Sequence, residues 1–123
     1  MSLFVPERRF DPGVPEMMDR PVNDSRILSD DLKNLRILNA LFGGYRAVRR
    51  HILPMFRQVD HGRPIRVLDL ATGSGDHPIQ LLRLSRSLER EIEVVAVDRN
   101  PQILRIASEL VQHHPGISLR EAD

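Results

Sequence analysis

The sequence predicts an α/β protein: a three-layer sandwich around a parallel sheet, preceded by N-terminal helices. Three observations predict it. From residue 65 onward, apolar stretches of strand length alternate with stretches of helical spacing. Those strand-length stretches are apolar along most of their length, which fits burial on both faces of a sheet. Upstream, residues 25–60 carry two amphipathic helical patterns and no strand pattern. Strands joined through helices of this length pair in parallel with right-handed crossovers, giving the order 3-2-1.

The elements follow in order. Residues 1–24 hold Pro6, Pro12, Pro15, Pro21 and Gly13 among scattered charges, the composition of an extended or disordered arm. Such an arm can fold over a partner subunit or an active-site mouth. Residues 25–42 read as a helix, with Leu32, Leu35, Leu38 and Phe42 on one face and Leu28 and Leu41 beside it. Asp24, Ser25, Ser29 and Asp30 are its N-cap candidates. Gly43-Gly44 stops it, because glycine enters the left-handed cap conformation without strain. A second helix is expected over 45–59, with Val48, Ile52, Met55, Phe56 and Val59 as its apolar stripe. Pro54 inside it predicts a kink or a restart. Its Arg46, Arg49, Arg50 and Arg57 have no acidic neighbour in the same stretch, so they form either a solvated face or a site for an anionic group.

Ile65–Leu70 is the first strand. A helix over about 77–90 follows, with Ile79, Leu82 and Leu88 inward and Pro78 in its first turn, where a missing N–H is harmless. Glu93–Val97 is the second strand. Asn100 is the expected N-cap and Pro101 the first residue of a helix reaching His113-His114 through Ile103, Leu104, Ala107, Leu110 and Val111. Pro115-Gly116 makes the turn into a third strand, Ile117–Arg120.

Composition limits the function classes. There is no cysteine among the 123 residues, which excludes disulfides and thiolate metal sites. His51, His61, His113 and His114 show no ligand spacing with carboxylates, so no metal is expected. No apolar run approaches the ~18 residues a membrane span needs, and the N-terminus lacks the apolar core of a secretory signal. A soluble, cytoplasmic protein without a membrane partner is the expectation. Net charge is +1 and aromatic residues make up 4%, which argues against a nucleic-acid partner. Of the eighteen basic residues only Lys33 is lysine, a bias that composition alone explains.

Chemistry concentrates in Val67-Leu68-Asp69-Leu70-Ala71-Thr72-Gly73-Ser74-Gly75-Asp76-His77-Pro78. An apolar strand runs into a small-residue loop, and the loop into a helix. Gly73 and Gly75 let the backbone turn tightly and let a ligand approach it. The loop presents N–H groups at a helix N-terminus, a general place for polar or anionic groups. In open parallel sheets ligands bind beyond the carboxyl ends of the strands. A dinucleotide fingerprint requires a third glycine where Pro78 stands, and Asp76 puts negative charge where a pyrophosphate would lie; both count against NAD. Asp76 itself suits a helix start, favoured by the dipole, and His77 is expected at the surface. Asp69 closes the first strand and can accept hydrogen bonds from an ammonium group. Asp98 closes the second and can accept both hydroxyls of a ribose. Asp123 follows the third and could accept an adenine amino proton. Ammonium, ribose and adenine without phosphate match this set.

VLDLATGSG resembles the first motif of class I, Rossmann-like S-adenosylmethionine-dependent methyltransferases. VVAVDRNPQIL is similar to their second-strand motif, and ISLREAD to their third. The resemblance covers residues 65–123 and is greatest to methyltransferases of quinone biosynthesis and of small molecules. It implies S-adenosylmethionine as cofactor and a small molecule as methyl acceptor. By position, Asp69 and the backbone of Ala71, Thr72, Gly73, Ser74 and Gly75 would hold the methionine portion. Asp98 would hold the ribose, Arg99 would flank the adenine, and Asp123 would meet its amino group. Ala71 stands where the family most often has glycine. The resemblance further implies three regions: an arm at 1–24, a helical cap at 25–60, and a cofactor-binding half-domain at 61–123. Tyr45 and Arg46 of the cap become candidates for the cofactor carboxylate or the acceptor; no catalytic residue is assignable. Such enzymes resemble seven-stranded sheets, about twice the strands present here. The C-terminal half is therefore expected to be absent, leaving poor methyl transfer and an exposed sheet edge through which, or through the arm, copies could associate. Two alternatives stand beside this: an NAD(P)-dependent oxidoreductase domain, and a non-catalytic RNA- or protein-binding module using Arg46–Arg57.

Overall fold

The computed structural model describes residues 25–122. The expected arm at 1–24 and Asp123 lie outside the described residues. In chain order the elements are α1 (Ser25–Leu41), α2 (Gly44–Gln58), β1 (Ile65–Leu70), α3 (Asp76–Ser87), β2 (Ile92–Asp98), α4 (Pro101–Val111) and β3 (Ile117–Glu121). The three strands form one parallel sheet with β2 in the middle. Ile65 is in register with Ile92, and Val94 with Ile117.

Capping follows side-chain chemistry. The Asn100 side chain accepts the Gln102 N–H at 2.9 Å, and Pro101 occupies the first turn behind it. Gly43 takes φ 83° between α1 and α2. Gly44, rather than ending α1, begins α2: a Cβ there would lie 2.7 Å from Asn39 Oδ1, so glycine lets the two helices meet closely. Helix α2 runs through Pro54 without a restart. The exposed Arg50 leaves the orphaned carbonyl within reach of water. α4 ends at Val111, short of His113, because the approach to Pro115 disfavours helical backbone. α3 ends at Ser87, and Glu89 then enters the left-handed region at φ 53°. Next to it, the Arg90 guanidinium donates to the carbonyls of Val59, Asp60 and Arg63, tying down the approach to β1.

The main core joins α2, α3 and one sheet face: Phe56, Ile65, Leu81, Leu82, Leu84, Ile92 and Val94 are buried together. A second cluster joins α1 to α4 through Leu28, Leu32 and Ile103. Burial of each such side chain contributes about 1.5–3 kcal/mol.

Two expectations are corrected. Strand burial is one-sided: Ile92, Val94, Ala96 and Asp98 are buried, whereas Leu68 and Leu70 are 62% and 69% exposed. Successive crossovers of one hand place α3 and α4 on the same face, and no described helix covers the other. The α1 stripe is likewise buried only at Leu28 and Leu32; Leu35, Leu38 and Phe42 are exposed. α1 packs on α4 through its first half, where Leu32 Cδ2 also lies 3.9 Å from the position a Gly73 Cβ would take; in its second half Asn39 reaches Asp76 at the start of α3.

Candidate functional site

β1 delivers the chain to Ala71, Gly73 and Gly75, all in the left-handed region with φ 57°, 57° and 78°. Glycine enters that region freely, whereas alanine does so at about 1–2 kcal/mol. This is the physical reason glycine suits the position Ala71 holds. The Thr72 N–H donates to the Val97 carbonyl at 2.8 Å, and the Gly75 N–H to the Thr72 carbonyl at 3.1 Å. Gly75 is pressed against α4: a Cβ there would stand 2.9 Å from Val111 Cγ1.

Asp98 joins this loop to the second strand. Its buried carboxylate accepts the Gly73 N–H at 3.1 Å and the Asn100 N–H at 3.0 Å. One bond caps the turn after β2; the other clamps the glycine loop. Each carboxylate oxygen has two acceptor sites, so capacity for a ligand's hydroxyls remains. Nearby, Thr72 Oγ1 and Asp69 Oδ2 are buried without a hydrogen-bond partner. Leaving such atoms unpaired costs about 1–3 kcal/mol each.

A cavity of about 830 Å³ opens at this end of the sheet, bordered by Ala71, Gly73, Asp98, Arg99, Ile103 and Glu121. Leu68, Leu70, Val95 and Val97 of the uncovered sheet face extend it as an apolar floor. Of the residues singled out in the sequence, Ala71, Gly73, Asp98 and Arg99 thus share the cavity. Asp69, Thr72, Ser74 and Gly75 stand behind its wall, and Asp123 lies outside the described residues. Sequence reading missed Asn100, Ile103 and Glu121. Glu121 pairs with Asp98 across β2 and β3, each strand running one residue beyond the expected Val97 and Arg120.

Asp76 is more than a helix-start acid. It accepts the Tyr45 hydroxyl at 2.7 Å on Oδ2 and the Ser74 hydroxyl at 2.7 Å on Oδ1, with Asn39 Nδ2 at 3.4 Å. Burial pushes its pKa up, but the hydrogen bonds from Tyr45 and Ser74 and the His77 charge outweigh this and hold it below the ordinary value. The Tyr45 phenol is pushed well above its ordinary range, first by burial, then by its bond to Asp76 and the charge there. His77, expected at the surface, is half-buried, with its ring edge-on to Tyr45 at 5.6 Å between centroids. Arg46 lines a separate groove between α2 and α3 with Arg49 and Arg83.

The loop, the acid closing β2 and the cavity beyond the strand ends have the arrangement expected of an adenosyl-ligand site. A model of the ubiE/COQ5 methyltransferase family matches residues 33–120. The chain belongs to this family. S-adenosylmethionine is accordingly its cofactor. The ubiE/COQ5 match begins inside α1, so it takes in the helices as well as the sheet. No curated protein sequence matches the chain. Among solved structures it is similar to an S-adenosylmethionine-dependent methyltransferase of Methanococcus maripaludis, with TM-score 0.55, 16% identity, and 77% of this chain and 42% of that one covered. It is also similar to the CMeT domain of the citrinin polyketide synthase, with TM-score 0.55, 16% identity, and 64% and 21% covered. The CurJ carbon methyltransferase gives TM-score 0.55, 19% identity, and 64% and 20% covered. These likenesses carry the α/β fold of a Rossmann-like methyltransferase. The chain spans less than half the length of each.

Proposed function

We propose that this chain supplies the cofactor-binding part of a methyltransferase that acts on a small molecule, with S-adenosylmethionine seated at the carboxyl ends of β1–β3. The observation that carries the reading is the Asp98–Gly73 hydrogen bond, which sets a buried carboxylate and the glycine loop side by side at the cavity. The loop backbone from Ala71 to Gly75 receives the methionine portion, with the Asp69 carboxylate behind it serving the ammonium group directly or through water. Asp98 accepts the ribose hydroxyls. Arg99 flanks the adenine and Ile103 packs on it as an apolar wall, with Asp123 reserved for its amino group. When bound, S-adenosylmethionine would supply an activated methyl group to an oxygen, nitrogen or carbon nucleophile of the acceptor, with the neutral thioether of S-adenosylhomocysteine as leaving group. The residues contribute alignment, which can lower such a barrier by several kcal/mol.

Isothermal titration with S-adenosylhomocysteine, S-adenosylmethionine and NAD tests the reading. Asp98→Ala, and the size-preserving Asp98→Asn, should weaken S-adenosylhomocysteine about 10–100-fold, the loss of one or two charge-assisted hydrogen bonds. Unchanged affinity in both variants would refute the ribose role. Tight NAD binding with no response to S-adenosylhomocysteine would refute the whole reading in favour of a nucleotide-dependent oxidoreductase.

A further inference from the structure

None of the Asp76 network borders the cavity, yet it joins three elements at one carboxylate. Asn39 comes from α1, Tyr45 from α2, and Ser74 from the glycine loop itself. Ser74 and Asp76 are buried, and Gly75 between them packs on α4, so the segment has little room to move as a whole. Both Asp76 oxygens are engaged: Oδ1 holds the loop side and Oδ2 the helix side. A displacement of Tyr45 is therefore felt at Ser74 through one rigid carboxylate. Gly44 reinforces the geometry, since any Cβ there would strike Asn39 and push α1 away from α2.

We infer that Asp76 is a positioning residue, through which Tyr45 and the N-terminal helix pair set the conformation of the cofactor loop and hence its affinity. Tyr45 does not border the cavity; its hydroxyl acts on the loop through Asp76. The consequence for affinity rests on the cofactor reading above, whereas the effect on the loop does not. Charged-group hydrogen bonds of this kind are the strong ones, and a loop already held in its bound shape binds more tightly because less order is lost on binding.

Tyr45→Phe tests this in the full chain, since it removes the hydroxyl and keeps the ring. Hydrogen exchange followed by mass spectrometry should show residues 72–77 exchanging about fivefold faster or more without ligand, with the strands unchanged. S-adenosylhomocysteine affinity should drop by about fivefold or more in parallel. Gln58→Ala, exposed at the far end of α2, should change neither quantity. The chain has one tyrosine and no tryptophan, so near-ultraviolet emission reports Tyr45 alone and should change when S-adenosylhomocysteine binds the wild type. Unchanged exchange over 72–77 in Tyr45→Phe overturns the inference. So does weakened affinity without faster exchange, which would make the hydroxyl a direct ligand contact. If the wild type fails to bind S-adenosylhomocysteine, the proposed function fails, and the exchange result still decides the role of Asp76.

Discussion

Gly75→Ala and Gly73→Ala are the same chemical change two residues apart, and the structure assigns them different losses. Both sites have positive φ, at 78° and 57°, so a methyl group brings about 1–2 kcal/mol of backbone strain to each. At Gly73 the new carbon meets only Leu32 Cδ2, at 3.9 Å, an ordinary contact. At Gly75 it meets Val111 Cγ1 at 2.9 Å, with Ala107 Cβ at 3.6 Å behind it. Val111 and Ala107 are both buried on α4, so neither can swing away, and overpacking of this kind costs a further ~1–3 kcal/mol. Gly75→Ala should therefore lose about 2–5 kcal/mol, against about 1–2 for Gly73→Ala. The clash has a defined partner, which permits a sharper test. Val111→Ala alone should cost about 2 kcal/mol as a cavity. Combined with Gly75→Ala it should cost less than the sum by roughly 1–3 kcal/mol, because the methyl group then occupies the vacated space. Urea unfolding followed by far-ultraviolet circular dichroism at low temperature measures all four proteins. Equal losses at the two glycines, or strict additivity in the double variant, would refute the packing argument.

Ala71→Gly should relieve the strain at φ 57°, about 1–2 kcal/mol, against about 0.5–1 kcal/mol of added unfolded-state entropy. A net gain of about 0.5–1 kcal/mol, a rise of several degrees in Tm, is expected, and a fall in Tm would contradict it. The raised Tyr45 pKa means that the folded state retains the phenolic proton more firmly than the unfolded chain. Its stability is present below the ordinary tyrosine value of about 10 and is lost as pH rises above it. Absorbance at 295 nm should show no phenolate near pH 10 in the folded protein and ordinary titration in urea. Coincident curves would remove the Tyr45–Asp76 bond. On the acid side the lowered Asp76 pKa contributes stability above the ordinary aspartate value of about 4, lost as pH falls through the folded value. Tyr45→Phe should flatten that acid limb, and an unaltered limb would count against the pairing.

The strand–helix alternation, the strand order and the glycine loop were legible because each depends on local sequence: period, turn residues and caps. Asn100 and Pro101 state their helix start outright, and the acid closing β2 is visible as Val97-Asp98. What escaped was every feature created when distant segments meet. Tyr45 read as a candidate for the cofactor carboxylate or the acceptor, Ser74 as part of the loop that would hold the methionine portion, and Asn39 carried no reading. Only packing of α1 and α2 over the start of α3 makes them one network. Likewise, the apolar residues of β1 and of the second half of α1 carry the pattern of a core, and local sequence cannot say whether anything lies opposite.

The chain's own residues were sufficient to establish the type of each element and the place of the glycine loop between β1 and α3, since hydrophobic period and backbone freedom act over a few positions. Which faces are buried, which atoms of Asp98 and Asp76 are engaged, and where Tyr45 spends its hydroxyl were settled by the tertiary arrangement. Burial and hydrogen bonding depend on partners tens of residues away in the chain, and their pairing is a property of the assembled fold.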